Sequence, residues 1–263
     1  MKKHLDTILP PLIFLVIFLA VWDRFAVFFG IQEFLLPRPH QILQSIIHDR
    51  ESLLVALRTT TFAATVGLLF SVVLGVVIAL FLAEFTIAYN TFFPYMILLP
   101  TIPVVAVAPL IVIWYGNGIH SVILVAFWIS LFPIIVSTTQ GLISIDKNLI
   151  NLFTINGASR FQILFKLKLP NAVPYLLSGL RISSSMAVIG ALVGEIFAGA
   201  ASADNFGLGY AIDSAQRLMQ TAYLFALVMA CAFLGLVFYL VSLFIGWYFL
   251  HHWHESALSR END

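Results

Sequence analysis

The sequence predicts an all-α integral membrane protein of six spanning helices, and three observations carry that expectation. Of the 263 residues, 61% are hydrophobic and only 10% are charged, whereas soluble chains are about a quarter charged. The mean hydropathy is +1.00, and six apolar runs are each long enough to cross a bilayer. One stretch breaks the pattern. From Asp146 to Pro170 the chain turns amphipathic and carries Lys147, Arg160, Lys166 and Lys168. A formal net charge of zero leaves no basic face for nucleic acid. Residues 1–263 read as one transmembrane domain embedded in a lipid bilayer.

The first span, about 8–29, follows Lys2, Lys3 and His4, with Pro10 and Pro11 in its first turn. No small-residue cleavage site follows it, so it reads as a span and not as a signal peptide. Asp23 and Arg24 fall at headgroup depth. In the polar stretch that follows, Gln32 to Leu57, the side chains of Ile42, Ile46 and Ile47 make the apolar face of a short surface helix. In the second span, about 59–83, Gly67, Ser71, Gly75, Ala79 and Ala83 recur at every fourth position. Small residues at that spacing let another helix come close.

The third span, about 92–114, carries Pro94, Pro100, Pro103 and Pro109. Each proline frees a carbonyl that needs protein or a watered path to satisfy it. Pro100, Pro103 and Pro109 are therefore candidates for the translocation pathway, with a kinked scaffold helix as the alternative. Gly116 to Gly118 turns the chain into the fourth span, about 121–140, with its own Pro133. The fifth span, about 172–198, is rich in Ser and Gly, and Gly190 and Gly194 form a GxxxG pair. Ser184 and Glu195 are further pathway candidates, while Arg181 reads as snorkelling to the interface.

A loop from Ala200 to Gln220 leads to the sixth span, about 221–250. Trp247, Tyr248 and Trp253 suit an interfacial aromatic belt. His251, His252 and His254 have no Cys or carboxylate at ligand spacing and read as interfacial, not as a metal site. Cys231, the single cysteine, sits in an apolar run and reads as a small hydrophobe.

Within Asp146–Pro170, Leu149, Leu152 and Phe153 share one helical face, and Phe161, Leu164 and Phe165 repeat the pattern. Gly157 suits the left-handed end of one helix, Ser159 the cap of the next, and Pro170 its close. The expectation is two short helices with a bend, lying at the membrane surface, with Arg160, Lys166 and Lys168 facing water. A plain interfacial linker is the alternative. Four cations against Asp146 put this segment inside, together with both termini. Arg38, Arg50 and Arg58 then fall outside, against the rule.

The same segment carries a resemblance. N-L-F-x3-G-x9-L-K-L-P, Asn151 to Pro170, is similar to the E-A-A-x3-G-x9-I-x-L-P loop of bacterial ABC-importer permeases. Asn151, Leu152 and Phe153 stand where Glu-Ala-Ala is usual. LLPTIPVVAVAPLIVIWYGNG, Leu98 to Gly118, resembles that family's proline-punctuated helix, and GLGY, Gly207 to Tyr210, a third motif. The stretch GASRFQILFKLKLPNAVPYLLSGLRI looks like the nitrate/sulfonate/taurine type. GLGYAIDSAQRLMQTAYLFALV looks like branches that carry thiamine pyrimidine precursors or riboflavin-type heterocycles.

The resemblance runs from about Pro37 to the last span and implies a type I ABC importer fold in a bacterial inner membrane. It implies an ATPase-coupling loop of Asn151, Leu152, Phe153, Gly157, Ala158, Ser159, Arg160, Leu169 and Pro170. The implied partners are a second copy of the permease, a cytoplasmic ABC ATPase dimer and an extracytoplasmic solute-binding protein. ATP and Mg would sit on the ATPase, with no cofactor on this chain. In keeping with this, the chain carries no G-x4-G-K-[ST] loop and no hydrolytic triad, and is not expected to be an enzyme.

The implied cargo is a thiamine pyrimidine precursor or related heterocycle. An alkanesulfonate, taurine or nitrate is the alternative. A stand-alone proton-coupled carrier is the rival of another class, although Glu84 and Glu195 are the only glutamates in the spans. A membrane scaffold is a third reading.

Overall fold

A computed structural model describes residues 2–199 and 206–250, and these are helical apart from their turns and connections. The helices are α1 (Lys2–Phe28), α2 (Pro39–His48), α3 (Arg50–Glu84), α4 (Thr86–Leu98) and α5 (Val104–Tyr115). After them come α6 (Ile119–Ile143), α7 (Lys147–Ile155), α8 (Arg160–Ile163), α9 (Leu169–Ala198), α10 (Leu208–Arg217) and α11 (Thr221–Leu250). A π-helical turn, Leu164–Lys168, joins α8 to α9 in one rod of 39 residues. Among the described residues, α3, α6, the α8–α9 rod and α11 are long and apolar enough to cross a membrane. The α4–α5 pair makes a further crossing if it is one span. α1, 27 residues long, stands where the first crossing is expected.

α6 lies at the centre, packed between α3 and α9. Missing side chains bring the three together. A Cβ on Gly67 would lie 2.8 Å from the Ala126 Cβ, and one on Gly75 would lie 2.7 Å from Ile134 Cγ2. On the opposite flank, a Cβ on Gly190 would lie 2.7 Å from the Ala126 Cα, and one on Gly194 would lie 3.0 Å from the Val122 Cα. No hydrophobic force pulls helices together in lipid, so this close approach supplies dispersion contacts that lipid chains do not match. Serine hydroxyls cross-link the seams. Ser71 Oγ lies 2.7 Å from Ser130 Oγ, and Ser183 Oγ donates to the Ser130 carbonyl at 2.6 Å. The small-residue stripe of α3 is buried from Gly67 to Ala79, with Ala83 half-buried.

Six local expectations are corrected. α3 begins at Arg50, nine residues before the expected 59, because α2 and α3 follow each other with only Asp49 between. In α2, Ile42 is buried but Ile47 is exposed, so the apolar face is narrower than the spacing suggested. α1 starts at Lys2, which puts Pro10 and Pro11 inside the helix and not in its first turn.

The expected third span is broken: α4 and α5 meet at 100°. Pro103 holds the preceding Ile102 extended, at ψ 122°, and no helix passes such a residue. Pro170 does not end a helix, because the chain runs straight through it into α9. A proline ring clashes with the carbonyl four residues earlier, and the wide π turn before Pro170 accommodates this. The expected loop Ala200–Gln220 contains α10, whose Leu208, Ala211 and Ala215 at helical spacing are buried. His251, His252, Trp253 and His254 lie outside the described residues.

Overpacking a tight helix seam costs about 1–3 kcal/mol. Gly190→Val is therefore expected to lower the thermal unfolding midpoint of the detergent-solubilised chain. Gly235→Val, where a Cβ meets nothing within 4 Å, serves as the control and is expected to leave it unchanged. Equal midpoints for both variants would contradict the packing described.

Candidate functional site

The segment from Asp146 to Pro170 is built by three caps. The Asp146 carboxylate accepts the Asn148 N–H at 2.8 Å and starts α7. α7 ends where Gly157 takes φ +76°. There the Gly157 N–H donates to the Thr154 carbonyl and the Ala158 N–H to that of Phe153, both at 3.0 Å, the paired bonds of a Schellman motif. Ser159 then opens α8 with a capping box. Its N–H donates to Gln162 Oε1 at 2.8 Å, and its hydroxyl accepts the Gln162 N–H at 3.3 Å. Local capping by side chains and backbone therefore sets the bend between the two helices.

α7 buries none of its residues. Leu149, Leu152, Ile155, Phe161 and Phe165 are exposed, Ile155 at 84% and Phe161 at 74%. Asn151 and Arg160 are also exposed, while Phe153, Ala158, Leu169 and Pro170 are half-buried. An exposed apolar surface of this kind marks an interaction site with protein or membrane.

Polar side-chain bonds to the bundle hold the segment's trailing end. Lys168 Nζ lies 2.6 Å from Glu84 Oε1 at the end of α3. Lys168 therefore does not face water as expected; Arg160 and Lys166 do. Asn171 Nδ2 donates to the Gly141 carbonyl at 2.8 Å and to Ser144 Oγ at 3.1 Å, which ties the start of α9 to the end of α6.

At the other end of α3 and α9, Glu195 is 2% exposed. Its carboxylate accepts the Gly209 N–H at 2.8 Å and the Thr60 hydroxyl at 2.8 Å, while the Leu208 N–H donates to Thr60 Oγ1 at 2.9 Å. Glu195 and Thr60 together cap α10, where a carboxylate suits the positive end of the helix. A Cβ on Gly207 would collide with the Glu195 carboxylate, and one on Gly209 with the Leu192 carbonyl. The glycines of GLGY are thus steric requirements of this cap.

The remaining pathway candidates do not share one wall. Pro100 and Pro103 are exposed at the α4–α5 bend, and Pro109 is half-buried in α5. Ser184 is buried in α9 and donates to the Arg181 carbonyl at 2.9 Å. Sequence reasoning did not register an open cavity of about 600 Å³ beside α2, lined by Glu33, Gln41, Asp49, Gln220 and Tyr223 among others. Its walls come from three separate stretches of chain, so no local pattern announces it.

Residues 71–253 match the family model described as binding-protein-dependent transport system inner membrane component. The chain belongs to that family. It is 36% identical over 242 residues to the formylaminopyrimidine transport permease protein ThiX of Halalkalibacterium halodurans, covering 90% of this chain and 92% of the relative. It is 40% identical over 141 residues to the riboflavin transport system permease protein RibX of Chloroflexus aurantiacus, covering 54% and 51%. The putative aliphatic sulfonates transport permease protein SsuC of Bacillus subtilis is 28% identical over 224 residues, covering 83% and 78%.

A chain of the MetNI methionine ABC transporter in an inward-facing crystal form shares the fold, with a TM-score of 0.61 at 20% identity. That match covers 76% of this permease and 95% of the MetNI chain. The permease is thus a multi-pass inner-membrane component of a binding-protein-dependent transport system.

Thr60→Val keeps the shape of the α10 cap but leaves the Leu208 N–H and the carboxylate short of a partner, at a cost of about 1–3 kcal/mol. Arg217, on α10, is a trypsin site that needs local opening. Cleavage there is expected to quicken about tenfold in Thr60→Val and to stay near the original rate in Thr60→Ser. Equal rates in all three chains would argue against the cap.

Proposed function

We propose that this permease works as a homodimer with two cytoplasmic ABC ATPases and an extracytoplasmic solute-binding protein, importing a thiamine pyrimidine precursor or related heterocycle. The observation that carries the coupling part is the bent α7–α8 segment, apolar, exposed, and anchored on its trailing side to α3 and α6. Both termini and this segment lie in the cytoplasm. Asn151, Leu152, Phe153, Gly157, Ala158, Ser159 and Arg160 meet the ATPase, and Leu169 and Pro170 carry its movement into α9. ATP binding then shifts the population between inward- and outward-facing states through the segment's differential contact with the ATPase.

The cargo assignment leans on the match to ThiX along nearly the whole chain, with RibX in support over about half of it. An alkanesulfonate is the second reading, favoured by the likeness to SsuC. In either case the exposed bend at Pro100–Pro103 and the adjoining Pro109 face the pathway, with Ser184 and Glu195 holding the packing behind them.

The test is affinity purification of the chain from native membranes, followed by an ATPase assay. The Gly157 φ is closed to proline and open to asparagine at little strain, and no neighbour stands where a Cβ would go. Gly157→Pro is expected to lower the stimulation of the ATPase by the loaded binding protein about tenfold, within the usual range of coupling energies. Gly157→Asn is expected to retain it. A chain that purifies without an ATPase and carries solute alone would establish the stand-alone carrier instead.

A further inference from the structure

The Lys168–Glu84 pair serves no purpose that the bend itself requires. The caps at Asp146, Gly157 and Ser159 shape α7 and α8 without help from α3. The pair joins residues 84 apart in sequence, with side chains 18% and 29% exposed, at a separation of 2.6 Å. Among the described residues only one other ion pair is present, Arg217–Asp213, and it lies within a single helix. Lys168 is the last residue of the π turn, where the rod stops being coupling segment and becomes α9. Glu84 is the last residue of α3.

We infer that Lys168–Glu84 is a transmission strut: it makes α3 follow the coupling segment when the ATPase moves it, so that α3 and α9 shift as one body. This inference rests on the ATPase-coupling function proposed above. The physical argument is one of lever geometry. α9 is continuous with α8 and follows the segment directly. α3 has no covalent connection to the segment nearer than α4, α5 and α6. Its seam with α6 is held at Gly67, Ser71 and Gly75, whereas its last turns rest on Leu142, Leu169 and Ala172 through small apolar contacts, which resist sliding along the helix axis less than a directed bond does. An ion pair at the very end of α3 opposes that sliding.

A helix with charged residues at its end has many places to put them in solvent. Here both are drawn together over a lysine stem that lies half-buried against the bundle. The role is positional. Neither residue touches cargo or nucleotide.

The experiment uses the assembled permease–ATPase complex in lipid nanodiscs, without nucleotide and trapped with MgATP and vanadate. Hydrogen exchange is read at two places, the α3 end (residues 76–84) and the α8–α9 junction (residues 160–175). In the unaltered complex both regions are expected to change on trapping. In Glu84→Gln and in Lys168→Met the junction is expected to respond as before, while the α3 response falls about fivefold, at the low end of ordinary coupling. The swapped double variant Glu84→Lys with Lys168→Glu is expected to restore it.

An undiminished α3 response in the single variants overturns the strut while leaving the coupling function intact. The same holds if both regions weaken together alongside a lowered unfolding midpoint, which marks a merely structural pair. An unaltered chain that binds no ATPase overturns the coupling function and the strut with it.

Discussion

The close approach of α6 to α3 on one side and to α9 on the other is the constraint on which the rest of this molecule depends. Helices in lipid gain nothing from hiding apolar surface, since lipid is equally apolar. What holds them is contact density, and contact density needs backbones near one another. Gly67 and Gly75 supply it on one flank, and Gly179, Gly190 and Gly194 on the other, each at a place where a methyl group would overlap the neighbouring helix or crowd it. Ser71, Ser130 and Ser183 then cross-link the seams at hydroxyl distance. With these three helices held side by side, the α7–α8 segment at one end and α10 at the other adjoin a common body.

Much of this is legible in the sequence, and the legible parts share a property: they depend on residues close together in the chain. The every-fourth-residue stripe of α3 states its packing face outright. Gly157 and Ser159 sit within three residues of each other, and their left-handed turn and capping box follow from local chemistry. The family likewise rests on motifs contiguous in the chain.

What escaped the sequence depends on partners far away or on backbone compensation. The reading that a proline stops a helix failed at Pro170 because a π turn just upstream makes room for the ring. The same reading was too mild at Pro103, where the residue before proline turns a kink into a 100° bend. Glu195 reads as a lone acid in a membrane, the usual sign of a pathway residue. Thr60 lies 135 residues earlier, and nothing in the local sequence announces that the two together cap α10. Lys168 reads as water-facing for the same reason, since Glu84 is remote in the chain.

The two fastenings at opposite ends of α3 differ in kind, and that difference gives the bundle a direction. Thr60 and Glu84 stand about 36 Å apart along the helix at 1.5 Å per residue. The fastening at Thr60 is buried, bonded to backbone N–H groups, and tolerates no side chain at Gly207 or Gly209. Opening it would strand polar groups in a dry interior. The fastening at Glu84 is a partly exposed ion pair, worth on the order of 1 kcal/mol and replaceable by water when it parts. A body pinned by buried bonds at one end and fastened through a flexible lysine stem at the other pivots about the pinned end. In this chain the end that swings is the one beside the exposed apolar faces of α7 and α8.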